Sequence, residues 1–394
     1  MYLSTGASLV ISRLENAGFK AYAVGGCVRD FLMSKTPVDF DITTNALPEK
    51  TKALFSDYTT FDAGISHGTV AVMIEGEKFE ITTFRSDGPT QDHRHPERVV
   101  FTPNLKDDLS RRDFTVNAMA YGEKEGIVDL FEGEKDLKEK VIRCVGVPEK
   151  RFEEDALRIL RALRFASVLD FEIEKNTRRA IFLKAGLLSF VSRERVAEEI
   201  KKLLLGKGAG KIISEYSEVF EILFQKGNFE ISQKAIPYAS TPLSKLAVFF
   251  YSFPEYKEQI SSLKLSKEER ELLSTSITLV KEGIEEDEVF LKRLVAKYSL
   301  KTVSLSTCVH TALFDREKRV LSLFEKLLTE DEFVTLKTLK VTGKDLVDLG
   351  LPASKEVGEI LSLLVDDVIL GKIKNDRDKL LEILPEKINN FLKS

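Results

Sequence analysis

The chain has 394 residues, 31% charged and 43% hydrophobic, with a formal net charge of −4, which gives room for about two to four folded units. Cys27, Cys144 and Cys308 are odd in number and far apart, and with His67, His93, His95 and His310 they form no CxxC or zinc-type spacing, which argues against a disulfide scaffold or a structural zinc site. No apolar run approaches membrane-spanning length and no basic leader precedes an apolar segment, so a cytoplasmic protein without a membrane partner is expected; the mild acidity leaves room for a local basic surface.

Residues 1–20 read as an amphipathic helix punctuated by Gly18. Ala21-Tyr-Ala-Val-Gly-Gly-Cys-Val-Arg-Asp30 then reads as a short apolar strand, two glycines and a polar helix start. Such a turn brings backbone close to an anion, and Arg29 adds charge there, although a plain tight turn would produce the same pattern. In Val38-Asp-Phe-Asp-Ile42, strand alternation predicts Asp39 and Asp41 on one face with Val38, Phe40 and Ile42 on the other. Two carboxylates side by side repel, and a divalent cation such as Mg²⁺, shared with substrate phosphate, relieves them.

His67 to Ile74 and Lys78 to Phe84 predict a hairpin turning at Glu75-Gly-Glu77, with Glu80 as a possible third carboxylate. Arg85 to Val100 is polar and aperiodic, as in a loop near the site or a long connection. Leu109 to Met119 is expected to form a helix capped by Ser110, placing Arg111 and Arg112 in its first turn. Cations oppose the helix dipole there and call for an anionic partner such as a triphosphate; a surface Arg112–Asp113 pair is the plainer alternative. Val128 to Gly133 closes this strand-rich unit.

From Leu137 onward helical periodicity takes over. Glu154-Asp-Ala-Leu-Arg-Ile-Leu-Arg-Ala-Leu-Arg-Phe165 predicts a helix with Ala156, Ile159, Leu160, Leu163 and Ala166 on its apolar stripe and Asp155 and Arg158 on one exposed face. A solvated ion pair is the ordinary meaning of that pattern. A sharper one is base reading: a carboxylate accepts from an exocyclic amino group and a guanidinium donates to a ring nitrogen, which suits the pairing edge of C or A and not that of U or G. Gly206, Gly208 and Gly210 predict one break, and Gly227 to Pro242 another. Residues 211–335 carry no recognisable chemistry, and Lys344, Lys355, Lys372 and Lys374 near the C-terminal turns could reach phosphates.

Taken together, Gly25-Gly-Cys-Val-Arg-Asp30, Asp39-Phe-Asp41, Arg111-Arg-Asp-Phe-Thr-Val-Asn-Ala-Met119 and Glu154-Asp-Ala-Leu-Arg158 resemble, in order and spacing, the bacterial CCA-adding tRNA nucleotidyltransferases of the polymerase-β-like superfamily. The resemblance is strong over residues 20–205 and looser beyond. It implies an α+β chain: a small mixed-sheet nucleotidyltransferase head (1–136), then an all-α neck with a base-reading helix (137–210), body (211–335) and tail (336–394), the tail contacting tRNA. It further implies addition of CCA to the tRNA 3′ end from CTP and ATP, with Mg²⁺ on the catalytic pair Asp39 and Asp41. Gly26, Arg29 and Arg112 would bind nucleotide, Asp155 and Arg158 would read the base, and Arg161 and Arg164 would assist on the same helix. Arg193 to Glu199 resembles the segment that buttresses this helix, and Asp129 to Gly133 the hinge element, with Leu130 where proline is usual.

The family's flexible loop corresponds to Asp87-Gly-Pro-Thr-Gln-Asp-His-Arg-His-Pro96, where Thr90 replaces a tyrosine and His95 an arginine. In the family this loop is tied to the switch from adding C to adding A, so its presence argues against a CC-only enzyme, while its altered residues leave full CCA addition open; an enzyme adding only the terminal A is a separate alternative. A poly(A) polymerase shares the head motifs, and a catalytically silent RNA-binding protein is the alternative outside enzymes.

Overall fold

The structure, a computed structural model, describes residues 2–87 and 99–393. The chain forms two compact units, Met1–Lys226 and Gly227–Ser394. In the first, α1 (Thr5–Asn16) starts at Ser4, whose hydroxyl accepts the Ala7 N–H at 3.2 Å. It buries Ala7, Val10, Ile11 and Leu14, and ends before Gly18 in the left-handed region (φ 87°).

There follow β1 (Ala21–Val24), α2 (Gly26–Leu32), β2 (Asp41–Thr44), α3 (Pro48–Leu54), β3 (Thr59–Gly64), β4 (Thr69–Ile74) and β5 (Glu77–Thr83). Next come β6 (Arg85–Asp87), β7 (Val99–Phe101), α4 (Leu105–Ser110), β8 (Met119–Gly122), β9 (Gly126–Asp129), α5 (Gly133–Glu139) and β10 (Val141–Ile142). Seven strands make one mixed sheet in the order β3-β4-β5-β2-β1-β8-β9, with β2 and β5 parallel and the other pairs antiparallel. Every residue of β1 is buried because this interior strand is covered on both faces: Ala21 and Ala23 join the cluster containing Val10, Ile42, Phe55 and Phe79, whereas Tyr22 and Val24 join Phe84 and Leu109.

The hairpin expected at Glu75 and Gly76 is present, both residues having positive φ (51° and 85°), which matches the twist of the flanking strands. Two expectations change. The strand holding the aspartates begins only at Asp41, and Val38 is 97% exposed instead of facing the core. The segment expected to be a loop has paired flanks, Arg85 opposite Phe101 in the β6–β7 ladder. The Thr90 and His95 departures lie outside the described residues.

The rest of this unit is helical, as the periodicity required, apart from β11 (Glu172–Ile173) running parallel to β10. Its helices include α6 (Pro148–Glu154), α7 (Leu157–Leu169), α8 (Lys175–Lys184) and α9 (Arg193–Leu204). The apolar stripe of α7 is buried as expected, Ile159, Leu160 and Leu163 each at 0% exposure. Gly206 does more than break a helix: a Cβ there would lie 2.2 Å from Ser167 Oγ and 2.4 Å from its backbone, so only glycine allows this approach to α7.

The second unit is all helical among the described residues. Helices Lys267–Glu282 and Leu300–Leu313 contribute buried Leu273, Ile277, Val303 and Val309. A separate cluster of Leu346, Ile360, Leu364, Leu380 and Leu384 holds the last three helices. Among the described residues no helix is long and apolar enough to cross a membrane.

Candidate active site

The glycine turn forms as the sequence implied. Gly25 has φ 78° between β1 and α2, and a Cβ there would sit 3.2 Å from Arg112 Nη1, so the bare backbone lets that guanidinium settle against the turn. Gly26 lies beside Arg29, 3.6 Å from its Nη2 by the same measure. Arg29 donates to Asp30 Oδ1 (2.9 and 2.8 Å) and to Asn117 Oδ1 at 2.6 Å.

The arginine pair is placed by a different helix from the one expected. α4 ends at Ser110, and Arg111 is its C-cap, so both cations follow a helix C-terminus, where the dipole favours them. The dipole argument for an anionic partner therefore falls, as does the Arg112–Asp113 pair. The determining residue is Asp108, 0% exposed on the preceding turn. It accepts from Arg111 Nε and Nη2 (3.0 and 2.8 Å), Arg112 Nη2 (3.3 Å) and the Thr43 hydroxyl (3.1 Å). Burial alone would raise the Asp108 carboxyl, but the two guanidiniums outweigh it and hold it below the ordinary carboxylate range. Arg112 Nε is buried and has no hydrogen-bond partner among the described residues, an unmet donor beside the glycine turn.

Asp41 opens β2, in register with Glu80 on parallel β5, and Asp39 lies two residues upstream; both aspartates are exposed. The desolvating surroundings of the strand start raise the Asp41 carboxyl above its ordinary range. Asp39 and, more weakly, Glu80 add repulsion, while Arg112 opposes it. Glu80 accepts from Lys78 Nζ at 2.7 Å. Among the described residues no three His, Cys, Asp or Glu groups cluster as a complete metal cage. A pair of repelling hard oxygen donors nonetheless fits Mg²⁺, which takes one or two carboxylates and completes its shell with water and phosphate.

The base-reading pair is arranged differently from a helix-face ion pair. α6 and α7 are separate, and Asp155 sits extended between them (φ −146°, ψ 104°). Its carboxylate accepts the Leu157 N–H at 3.1 Å, a local bond that competes with helix continuation between α6 and α7. Its other partner is Arg195 of α9, at 3.0 Å, and not Arg158. Arg158 donates to Glu154 Oε2 (2.7 Å), to the Arg151 carbonyl (3.2 Å) and to the Arg111 carbonyl (2.9 Å), tying α7 to the segment behind α4.

Arg161 and Arg164 join a chain of contacts that reaches back to Arg29. Arg161 Nε donates to Asp113 Oδ2 at 2.7 Å, Asn117 Nδ2 donates to Asp113 Oδ1 at 3.3 Å, and Asn117 Oδ1 receives Arg29. Arg164 faces Glu199 of α9 with an N–O distance of 2.7 Å. Phe165 lies among three of these guanidiniums: those of Arg29, Arg161 and Arg164 stand 5.5, 5.4 and 4.1 Å from its ring centre. Burial of Asp113 would raise its carboxyl, yet Arg161, then Asn117 and Arg158, hold it below the usual range.

Sequence reasoning missed Asp108, Asp113 and Asn117 as organisers, and it covered Arg195 only within the Arg193 to Glu199 segment expected to buttress the base-reading helix, where Arg195 meets Asp155 and Glu199 meets Arg164. The i, i+3 and i, i+4 spacing of Asp108 to Arg111 and Arg112 was a visible signal for the first. Asp113 and Asn117 are likewise four apart and bond at 3.3 Å, whereas the pairs Asp113–Arg161 and Arg29–Asn117 are long-range and leave no local trace. Cys27 and Cys144 offer no reactive thiol here, since burial lifts them to about 11 and about 12.

Three family models match the chain: a poly A polymerase head domain over residues 21–143, a probable RNA and SrmB-binding site of polymerase A over 170–224, and a tRNA nucleotidyltransferase domain 2 over 245–384. The CCA-adding enzyme of Lactobacillus delbrueckii subsp. bulgaricus is 35% identical over 398 residues, covering 96% of this chain and 97% of that protein. That of Staphylococcus epidermidis is 33% identical, covering 95% and 96%. The crystal structure of the Bacillus stearothermophilus CCA-adding enzyme in complex with CTP superposes with a TM-score of 0.86 at 30% identity, over 100% of both chains. The Thermotoga maritima CCA-adding enzyme, solved with tRNA, shares the fold at 24% identity and a TM-score of 0.66, over 97% of this chain and 94% of that one.

Proposed function

The chain belongs to the CCA-adding enzyme family, and on that premise we propose how its residues divide the addition of C, C and A to the 3′ end of tRNA from CTP and ATP. In each step the 3′ hydroxyl oxygen bonds to the α-phosphorus of the nucleotide, the bond from that phosphorus to the β-phosphate bridge breaks, and pyrophosphate leaves. Asp39 and Asp41 are the residues that would hold Mg²⁺, which when bound lowers the pKa of the attacking hydroxyl and neutralises the leaving pyrophosphate. Their mutual repulsion at Asp41 is what makes this pair suited to a cation.

The single observation that carries the assignment is the run of contacts from Arg29 through Asn117 and Asp113 to Arg161, which joins the glycine turn to α7. Gly26 lets the triphosphate approach, and Arg29 and Arg112 bind it, the orphaned Arg112 Nε finding its acceptor there. Asp155 and Arg158 read the base, and Arg161 and Arg164 hold the nucleotide beside them. Asp155 has spare acceptor capacity beyond Leu157 and Arg195, whereas Arg158 must exchange a carbonyl contact to donate to a base. Catalysis here is largely positioning and charge neutralisation. The four-part division at residues 136, 210 and 335, tRNA contact by the tail, and a cytoplasmic location belong to the same reading.

Incubating the protein with tRNAs lacking one, two or three terminal nucleotides, with CTP, ATP or both, tests it. Ordered C, C, A addition is expected. Addition of A to tRNA-CC alone would make the chain an A-adding enzyme, and long A tails a poly(A) polymerase. No incorporation at all would leave an RNA-binding protein.

A further inference from the structure

Three of the arginines in this site share one neighbour that is neither charged nor polar. Phe165 ends the arginine-bearing stretch of α7, is 8% exposed, and meets Phe114 edge-on at 5.7 Å and 75°. That contact anchors the ring against the segment that also carries Asp113 and Asn117. Around it stand Arg164 at 4.1 Å, Arg161 at 5.4 Å and Arg29 at 5.5 Å. Guanidiniums so close together repel, and each has one carboxylate close by: Arg29 has Asp30, Arg161 has Asp113 and Arg164 has Glu199. Asp30 lies on α2 and Glu199 on α9, while Asp113, bridged by Asn117 to Arg29, links two of the three cations through hydrogen bonds. The ring is the shared feature, and its electron-rich face attracts cations without neutralising them.

We propose that Phe165 is a positioning residue for nucleotide binding: its π face gathers Arg29, Arg161 and Arg164 into one cationic wall while leaving their charge available to the incoming nucleotide. A further acidic residue could also gather them, but beyond Asp30, Asp113 and Glu199 it would offset more of the charge on which binding depends. The role rests on the nucleotidyltransferase reading and adds to it. Because neither Asp155 nor Arg158 stacks on this ring, Phe165 sets how tightly a nucleotide is held and not which base is chosen.

The test separates the electrostatics of the ring from its volume. Phe165 is replaced by mono-, di- and trifluorophenylalanine, which keep the shape and progressively drain the face of the ring, and separately by Phe165→Tyr and Phe165→Leu. Unmodified protein adding CTP to a tRNA that lacks CCA is the control for the underlying activity, so failure of the nucleotidyltransferase reading would appear there first. The KM for CTP and for ATP should rise together with each fluorine, reaching about five-fold for the trifluoro form and for Phe165→Leu. The ratio of CTP to UTP incorporation and the affinity for tRNA should stay unchanged, and Phe165→Tyr should restore the unmodified KM. A KM that stays flat across the fluorinated series, with kcat or folded fraction falling in Phe165→Leu alone, would reduce Phe165 to core filling and overturn the proposal. A change in base selectivity would overturn it equally.

Discussion

Asp108 gives the sharpest test of how the site is held together. Replacing it by Asn keeps the shape and most of the volume while removing a charge that is 0% exposed. Arg111 and Arg112, whose side chains are 15% and 19% exposed, then lose the carboxylate they share, and one half of the new amide presents N–H groups to a guanidinium. Removing one partner of a buried pair typically costs about 3–5 kcal/mol. Both arginines keep some access to water, and the Thr43 hydroxyl can still donate to the amide oxygen, so the low end, about 3 kcal/mol, applies. With a urea m-value of roughly 3 kcal/mol/M for a unit of this size, the midpoint for the first unit should fall by about 1 M. Circular dichroism is the suitable probe, because the chain has no tryptophan. Where the variant is still folded, the KM for CTP should rise, since Arg112 no longer has Asp108 to hold it against Gly25. A midpoint within about 0.3 M of wild type would mean that the buried carboxylate is not charged in the folded protein, and the account of Arg112 would fail with it.

The repulsion at Asp41 predicts an opposition between stability and function. In the absence of divalent cation, Asp41→Asn should raise the melting temperature slightly while abolishing incorporation and sparing tRNA binding, and added Mg²⁺ should raise the melting temperature of wild type only. Calorimetry with and without Mg²⁺ reads this, and incorporation near the wild-type level would refute the metal assignment. Asp155→Ala should raise UTP incorporation relative to CTP, measured by competition on a tRNA lacking CCA; an unchanged preference would remove Asp155 from base reading. The Asp113 carboxyl, depressed mainly by Arg161 against its own burial, contributes stability that is fully present above the unfolded aspartate value of about 4 and fades as pH falls through the lower folded value. Asp113→Asn should therefore be less stable than wild type at neutral pH and lose less on acidification below about pH 4. Parallel acid-unfolding curves for the two proteins would contradict that bridge.

Local chemistry settled much of this protein in advance. Gly18, Gly25 and Gly76 marked positive-φ turns, the alternation in residues 69–83 made a hairpin, and the 3.6-residue stripe on α7 found a core. These features are written in the chain because each depends on neighbours within about a turn or a strand. Tertiary structure decided which charged groups meet. Asp155 turns to Arg195, Arg158 to the Arg111 carbonyl, Arg161 to Asp113 and Arg29 to Asn117, across separations of 40, 47, 48 and 88 residues. Arginine is long, flexible and always charged, and its spacing along a helix says which face it leaves from but not which carboxylate or carbonyl will be there to receive it.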